Sequence, residues 1–349
     1  MNSILQPRPF RQTMHRLMNL LIFKVNQLGD NVVFLPLVQQ LAAHFPHWRI
    51  TVMTSPAATP LYEVACPAAR LLSFNTQDFN SSWKNPARLA RLLRITRALK
   101  PDTCLLGNDQ GNAAHFIARL SGAALCVGPH VPERRLGFLL HHREPLIETD
   151  SAARQNWRIA QAMLARLGHP ALPDAIPAPD LSAFGREGHG AIAIHAGASR
   201  AYKRWPLERF IALANKLEDT HPVLWFDQNE AGEEMLAPRI RRVTPGSLHD
   251  FIRHLAGARH FIGNNSGPMN LASALGIPGT IFNGPSRPNW DPMWHSEKFD
   301  LLRDAALACQ PCDLFSRPVN HCQNTFHPMA CMDRWSVDEV HQRVLARLE

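Results

Sequence analysis

Asp30 closes the run Asn26-Gln27-Leu28-Gly29-Asp30, which follows an apolar stretch and precedes a helical one. A carboxylate in that place either caps the helix or faces a cleft as a proton acceptor. The run lacks a G-x-G-x-x-G pattern, so it carries no dinucleotide fingerprint. A second group begins at His195-Ala-Gly-Ala-Ser199 and continues to Lys203-Arg204-Trp205-Pro206. Its small residues let a ligand approach backbone N–H groups, and two cations before a helix start suit a diphosphate. Trp205 alone reads as a packing residue rather than a base-stacking platform. The third group, Gly263-Asn-Asn-Ser-Gly-Pro-Met-Asn-Leu271, runs from strand to turn to helix, and Phe282-Asn-Gly-Pro-Ser286 repeats the device one strand later. Ser266 and Gly267 stand where unpaired helix donors meet an anion.

These groups need strand–turn–helix units to hold them, and the apolar pattern supplies such units twice. Runs at 20–25, 49–54 and 102–107 read as strands, with helices expected over 30–44, 85–100 and 112–120. The segment from Gly168 to Gly190, rich in proline and glycine, has linker composition. A second series follows, with strands at 191–195, 223–227, 260–262 and 279–282 and helices at 207–217, 247–256 and 268–275. The expectation is α/β: two Rossmann-like, doubly wound domains facing each other across a cleft. Residues 1–18 form a basic N-terminal extension, 19–169 the first domain and 170–189 the linker. Residues 190–334 form the second domain and 335–349 a C-terminal helix.

The 349 residues carry a net charge of +8, with pI near 9.4. The positive charge favours anionic lipid, a phosphorylated substrate or nucleic acid, and no nucleic-acid-binding motif accompanies it. Arg88, Arg91, Arg94 and Arg97 recur among leucines as one cationic helix side, either a solvated face or a docking surface for an anionic membrane. No run reaches the roughly 18 apolar residues of a membrane span, and no secretory signal pattern opens the chain. Cys66, Cys104 and Cys126 read as reduced core residues. Cys309, Cys312, Cys322 and Cys331 have the spacing C-x2-C-x9-C-x8-C, which suits a structural zinc knuckle or plain thiols, reduced or partly disulfide-bonded. No D-x-D pair occurs, so metal-independent catalysis with no required cofactor is expected.

Taken in order, the blocks resemble glycosyltransferase family 9, the bacterial lipopolysaccharide heptosyltransferases. The strand and Gly-Asp turn over 21–30, His195 to Pro206, Gly263 to Leu271, Phe282 to Ser286 and the cysteine-rich tail each match a family block. The departures are Asn265 and Asn270 in place of Asp and His, Ser266 in place of Thr, and Arg287 after Ser286. The resemblance implies a GT-B fold with an acceptor-binding N-terminal domain and a nucleotide-sugar-binding C-terminal domain. It implies inverting transfer of a heptose from ADP-heptose to a lipid-linked inner-core acceptor, by an enzyme cytoplasmic and peripheral at the inner membrane.

Asp30 is then the expected base, weak because the helix dipole favours its ionised form, and Lys203 stabilises the leaving diphosphate. Donor contacts fall to His195, Gly197, Ser199, Arg204, Asn265, Ser266, Gly267, Pro268, Met269 and Ser286. Acceptor contacts fall to Lys24, Asn26, Gln27 and Gly29. The rival readings are transfer from another nucleotide sugar, a sugar-nucleotide epimerase or hydrolase, and a non-catalytic nucleotide-sugar-binding protein.

Overall fold

The computed structural model describes residues 17–132, 135–228, 230–312 and 321–349. The basic extension therefore lies outside the described residues except for Leu17 and Met18. The first domain contains strands β1 (Asn19–Lys24), β2 (Arg49–Thr54), β3 (Arg70–Ser73), β4 (Thr103–Leu106), β5 (Leu125–His130) and β6 (His142–Pro145). Its helices are α1 (Leu28–His44), α2 (Thr59–Ala65), α3 (Thr76–Asn80), α4 (Pro86–Ala98), α5 (Asn112–Leu120) and α6 (Ala152–Leu167). The second domain contains β7 (Ile192–His195), β8 (Val223–Phe226), β9 (Arg241–Val243), β10 (His260–Asn264), β11 (Gly279–Phe282) and β12 (Phe299–Leu302). With them run α7 (Leu207–Glu218), α8 (Leu248–Ala256), α9 (Gly267–Ala274), α10 (Ala330–Asp333) and α11 (Val337–Leu348).

Every strand pairing is parallel. The sheet orders are β3-β2-β1-β4-β5-β6 and β12-β11-β10-β7-β8-β9. Counted within its own domain, each sheet follows the order 3-2-1-4-5-6, whose direction of winding reverses between the first and fourth strands. The reversal leaves a crevice at the carboxyl ends of β1 and β4 in one domain and of β7 and β10 in the other. Helices cover both faces of such sheets, so β4 and β8 are buried at every position and read as continuous apolar runs without alternation.

Apart from the short helices α2 and α10, which lack a side-chain cap, helix starts divide by location. Away from the reversal points, α3, α4, α6, α8 and α11 are capped by the side chains of Asn75, Asn85, Ser151, Ser247 and Ser336. The four helices that leave the reversal strands, α1, α5, α7 and α9, have no side-chain cap. Their first N–H groups are thus not covered by a capping side chain, a cost in helix stability of about 1 kcal/mol each that leaves donors for a ligand.

The two domains touch where α1 meets α9. Val32, Leu35 and Val38 of α1 share one apolar cluster with Met269, Leu271 and Ala272 of α9. The segment at 170–189 is no loose tether, as its composition suggests; it is a packed strap. Leu172, Leu181 and Phe184 are buried, and the Gln39 amide exchanges two hydrogen bonds with the Asp180 backbone.

Candidate active site

A cleft of about 470 Å³ lies between the two reversal points. Gln27, Leu28, Gly29 and Asp30 line it from the first domain; His195, Gly197, Ala198, Ser199, Lys203, Arg204, Gln228, Asn265, Ser266, Gly267, Pro268, Asn270 and Trp290 line it from the second. Three groups that begin at Asn26, His195 and Gly263 are thereby brought together.

Asp30 is not the helix cap. Gln27 holds the cap position, extended and without a side-chain bond, and Asp30 lies in the first turn of α1. Its carboxyl keeps some surface toward the cleft yet is enclosed by protein. Burial raises it from the ordinary 3.8 to about 6, and the Asp109 carboxylate adds to the rise. Lys24, the Gln27 N–H and Lys203 act in the opposite sense. The weak base expected from the helix dipole is therefore corrected: loss of water and a like charge outweigh the dipole and the cations.

Gly29 also acts differently from the sequence reading. It belongs to α1 and has no positive φ, so no tight turn depends on it. A Cβ there would stand 3.1 Å from Gly267 Cα and 3.0 Å from Asn270 Nδ2. Its bare backbone lets the N-termini of α1 and α9 approach across the cleft.

Lys24 is the clearest correction. It is fully buried, with Nζ 2.5 Å from Asp109 Oδ2, and cannot reach an acceptor in the cleft. Asn26 is engaged as well, its Oδ1 accepting from Gln110 Nε2 at 2.5 Å. Of the four expected acceptor contacts, Gln27 and Gly29 line the cleft.

On the other wall, burial lowers His195 to about 4, with Arg204 acting in the same direction. At neutral pH it is an uncharged hydrogen-bonding group. Arg204 is pinned: Nε donates to Ala198 O at 2.9 Å and Nη1 meets Glu230 Oε1 at 2.8 Å. It braces the 198–204 loop while lining the cleft. Lys203 lies close enough to act on Asp30 through its charge. Trp205 packs, buried and stacked on Phe282 at 4.2 Å.

Ser266 Oγ turns back to Asn264 O at 3.1 Å and leaves the α9 donors uncapped. The Asn265 amide donates to Asn283 Oδ1 at 2.5 Å and to Trp290 O at 3.0 Å. Asn283 in turn donates to Asp291, which Arg303 grips. Asn270 is buried against the cleft, its Oδ1 lacking a partner among the described residues. Met269 and Ser286 do not line the cleft. Met269 is core, since it sits on the inner side of α9, and Ser286 is buried in the loop behind Asn283.

Cys309, Cys312, Cys322 and Cys331 border one small separate cavity of about 10 Å³. The Met329 N–H donates to Cys322 Sγ at 3.2 Å. Among the described residues, however, no group of three or more His, Cys, Asp or Glu stands in an arrangement that could hold a metal ion. Nor, among those residues, is any helix long and apolar enough to cross a membrane.

The sequence reading missed Asp109, Gln110, Gln228 and Trp290. Each follows or lies between strands whose neighbours are set by sheet order, which no local spacing reports.

Two α/β sheets of this order facing each other across a ligand cleft define the GT-B class. Within that class, the sequence model described as "Glycosyltransferase family 9 (heptosyltransferase)" matches residues 153–314. Lipooligosaccharide heptosyltransferase 2 of Campylobacter jejuni is 24% identical over 157 residues, 41% of this chain and 49% of that protein. The chain thus spans about half the length of the curated relatives it matches. The solved structure of E. coli heptosyltransferase WaaC with ADP-2-deoxy-2-fluoro heptose superposes with a TM-score of 0.70 at 16% identity, covering 94% of this chain and 99% of that one. E. coli ADP-heptose lps heptosyltransferase II gives 0.69 at 20% identity, with 95% and 98% covered. The chain is similar to glycosyltransferase family 9 over residues 153–314 and has the GT-B fold.

Proposed function

We propose that the protein is an inverting glycosyltransferase that moves a heptose from ADP-heptose to a lipopolysaccharide inner-core acceptor. The observation that carries this reading is the pairing of opposite chemistries across one cleft. Asp30 stands on one wall, and Lys203 with the uncapped N-terminus of α9 stands on the other. In-line displacement needs those two partners. As the acceptor oxygen bonds to the sugar carbon, its proton passes to Asp30. The bond to the diphosphate breaks, and its developing negative charge meets Lys203 and the α9 backbone donors. A carboxylate held near 6 is ionised at neutral pH and a better base than an ordinary aspartate. Neutral His195, with Ser199 and Gln228, supplies hydrogen bonds for the nucleotide sugar rather than charge.

The test is transfer from ADP-heptose, with UDP- and GDP-sugars alongside, to a lipid-linked acceptor. Product with inverted anomeric configuration supports the reading. Turnover of UDP- or GDP-sugars instead moves the donor and points to Asn265 and Asn270, while sugar release without acceptor sinks transferase action. Metal independence belongs to the same proposal: chelator should leave turnover intact, and loss restored by magnesium refutes it.

Two further parts remain proposals. The exposed Arg91, Arg94 and Arg97 of α4, beside exposed Trp83, make a surface for the anionic cytoplasmic leaflet. Sedimentation with anionic but not neutral vesicles tests it. The four late cysteines are the place for a structural zinc; their thiolates suit it chemically, but the side chains would have to turn toward one point. Elemental analysis of tag-free protein decides that, and no catalytic step depends on it.

A further inference from the structure

The loop that follows β4 beside the cleft is not part of any motif block. Gly107-Asn108-Asp109-Gln110-Gly111 leaves β4 at the reversal point, next to the α1 turn that carries Asp30. The loop is tied down on several sides. Asn156 Oδ1 accepts from the Asn108 N–H at 2.8 Å, and Gln155 Oε1 from the Asn108 side chain at 2.9 Å. Gln110 Nε2 bridges Asp109 Oδ1 and Asn26 Oδ1. Asp109 Oδ2 pairs with buried Lys24, whose Nζ also sits 5.4 Å from the centre of the Phe34 ring. A side chain on Gly107 would strike the Lys24 stem at 2.9 Å. Burying a lysine this way is costly unless its partner is held in place, and this loop holds it.

We propose that Asp109, clamped by Lys24, is a positioning residue for Asp30: it keeps a fixed negative charge behind the base, so that Asp30 takes the acceptor proton more readily. The charged groups that act on Asp30 are Asp109 from the loop after β4, Lys24 from β1 and Lys203 from the second domain, in that order of effect. Arg204 and neutral His195 line the same cleft farther along its wall. The proposal rests on Asp30 being the base of the transfer reaction, and it deepens that reading.

The pair makes opposite demands on its two members. Asp109→Asn removes the like charge and leaves Lys24⁺, so Asp30 should titrate lower than in the wild type. Lys24→Met leaves two carboxylates and should move it higher. With both substitutions the larger Asp109 effect is lost along with the smaller Lys24 effect, so the midpoint should fall between Asp109→Asn and the wild type. The measurement is a carbon-13 NMR titration of the Asp30 carboxyl in the full chain, which needs no substrate. Shifts of roughly half a pH unit or more are expected for the single variants. The acid limb of transfer activity should move in the same sense.

A structural role alone would depress activity in both single variants without opposite shifts, and that result overturns the proposal. So does an unmoved midpoint in Asp109→Asn. Should Lys24→Met fail to fold, the order Asp109→Asn below the double variant below wild type still decides. If that order holds but no transfer is found, the assigned reaction is wrong while the coupling stands. If transfer is found and the order fails, the reverse is true.

Discussion

The two reversal points have the same strand order and opposite character. In the first domain the polar side chains are spent on one another: Lys24 on Asp109, and Asn26 on Gln110. Asp30 alone is presented to the cleft with a perturbed charge. In the second domain the small residues of 196–199 and 266–267 leave backbone exposed, and histidine is held neutral. Under the proposed function, one topology serves a proton acceptor on one side and an anion on the other. A tied-down polar shell surrounds a single carboxyl on one side, whereas exposed backbone beside Lys203 and Arg204 suits an anion on the other. What differs is how the side chains are committed, not the fold.

The largest expected effect falls on the first side. Asp30→Asn should lower turnover by about 100- to 10,000-fold while ADP still binds, because the anion wall is untouched. Steady-state rates beside calorimetry with ADP check this, and turnover within a few-fold of wild type removes Asp30 from its role. Next is the opposite wall, where Lys203→Met should cost roughly 100- to 1,000-fold in turnover with little change in the acid limb of the pH profile. If the acid limb moves more than turnover falls, Lys203 serves the base rather than the leaving group.

A smaller effect, on stability, tests the commitments of Asn265. Asn265→Asp restores the carboxylate usual in the family, but a carboxylate cannot donate to Asn283 Oδ1 and Trp290 O. Asn283 cannot simply flip, because its amide N–H already serves Asp291. A loss of about 1–3 kcal/mol is expected in denaturant melts; a gain would mean that the network tolerates the charge.

The smallest effect concerns the cost of tuning. Because folding raises Asp30 from 3.8 to about 6, the folded state binds the proton more tightly than the unfolded one. The ionised form therefore costs stability above pH 6, and that cost shrinks as pH falls from about 6 toward 3.8. Asp30→Asn should add about 1–2 kcal/mol at pH 8 and progressively less below pH 6. Thermal melts across that range should show the gain fade; a gain that grows on acidification contradicts the raised value.

The sequence made much of this legible. Apolar runs flanked by Gly, Asn and Asp mark strands that feed turns, and β2, α5 and β11 occupy the residues read for them. The donor wall was readable for a chemical reason: a backbone that must approach a ligand needs small residues, and these stand out locally at 196–199 and 263–268. The short edge strands β3, β6, β9 and β12 were not readable, since three or four residues with little burial carry no distinct period. Asp109 was invisible because nothing nearby in sequence marks it.

The sequence by itself determined the two α/β series, the turns that end their strands, and Asp30 and Lys203 as the candidates for base and cation, because period and residue chemistry are local properties. Only the tertiary structure decided that Lys24 faces Asp109 rather than an acceptor, that Gly29 serves helix approach rather than a turn, and that burial raises the Asp30 carboxyl rather than the helix dipole lowering it. Those three facts depend on which strand lies beside β1 and which helix lies across from α1. Such neighbours are chosen by sheet order and domain packing, and burial then sets the energy of every charge placed among them.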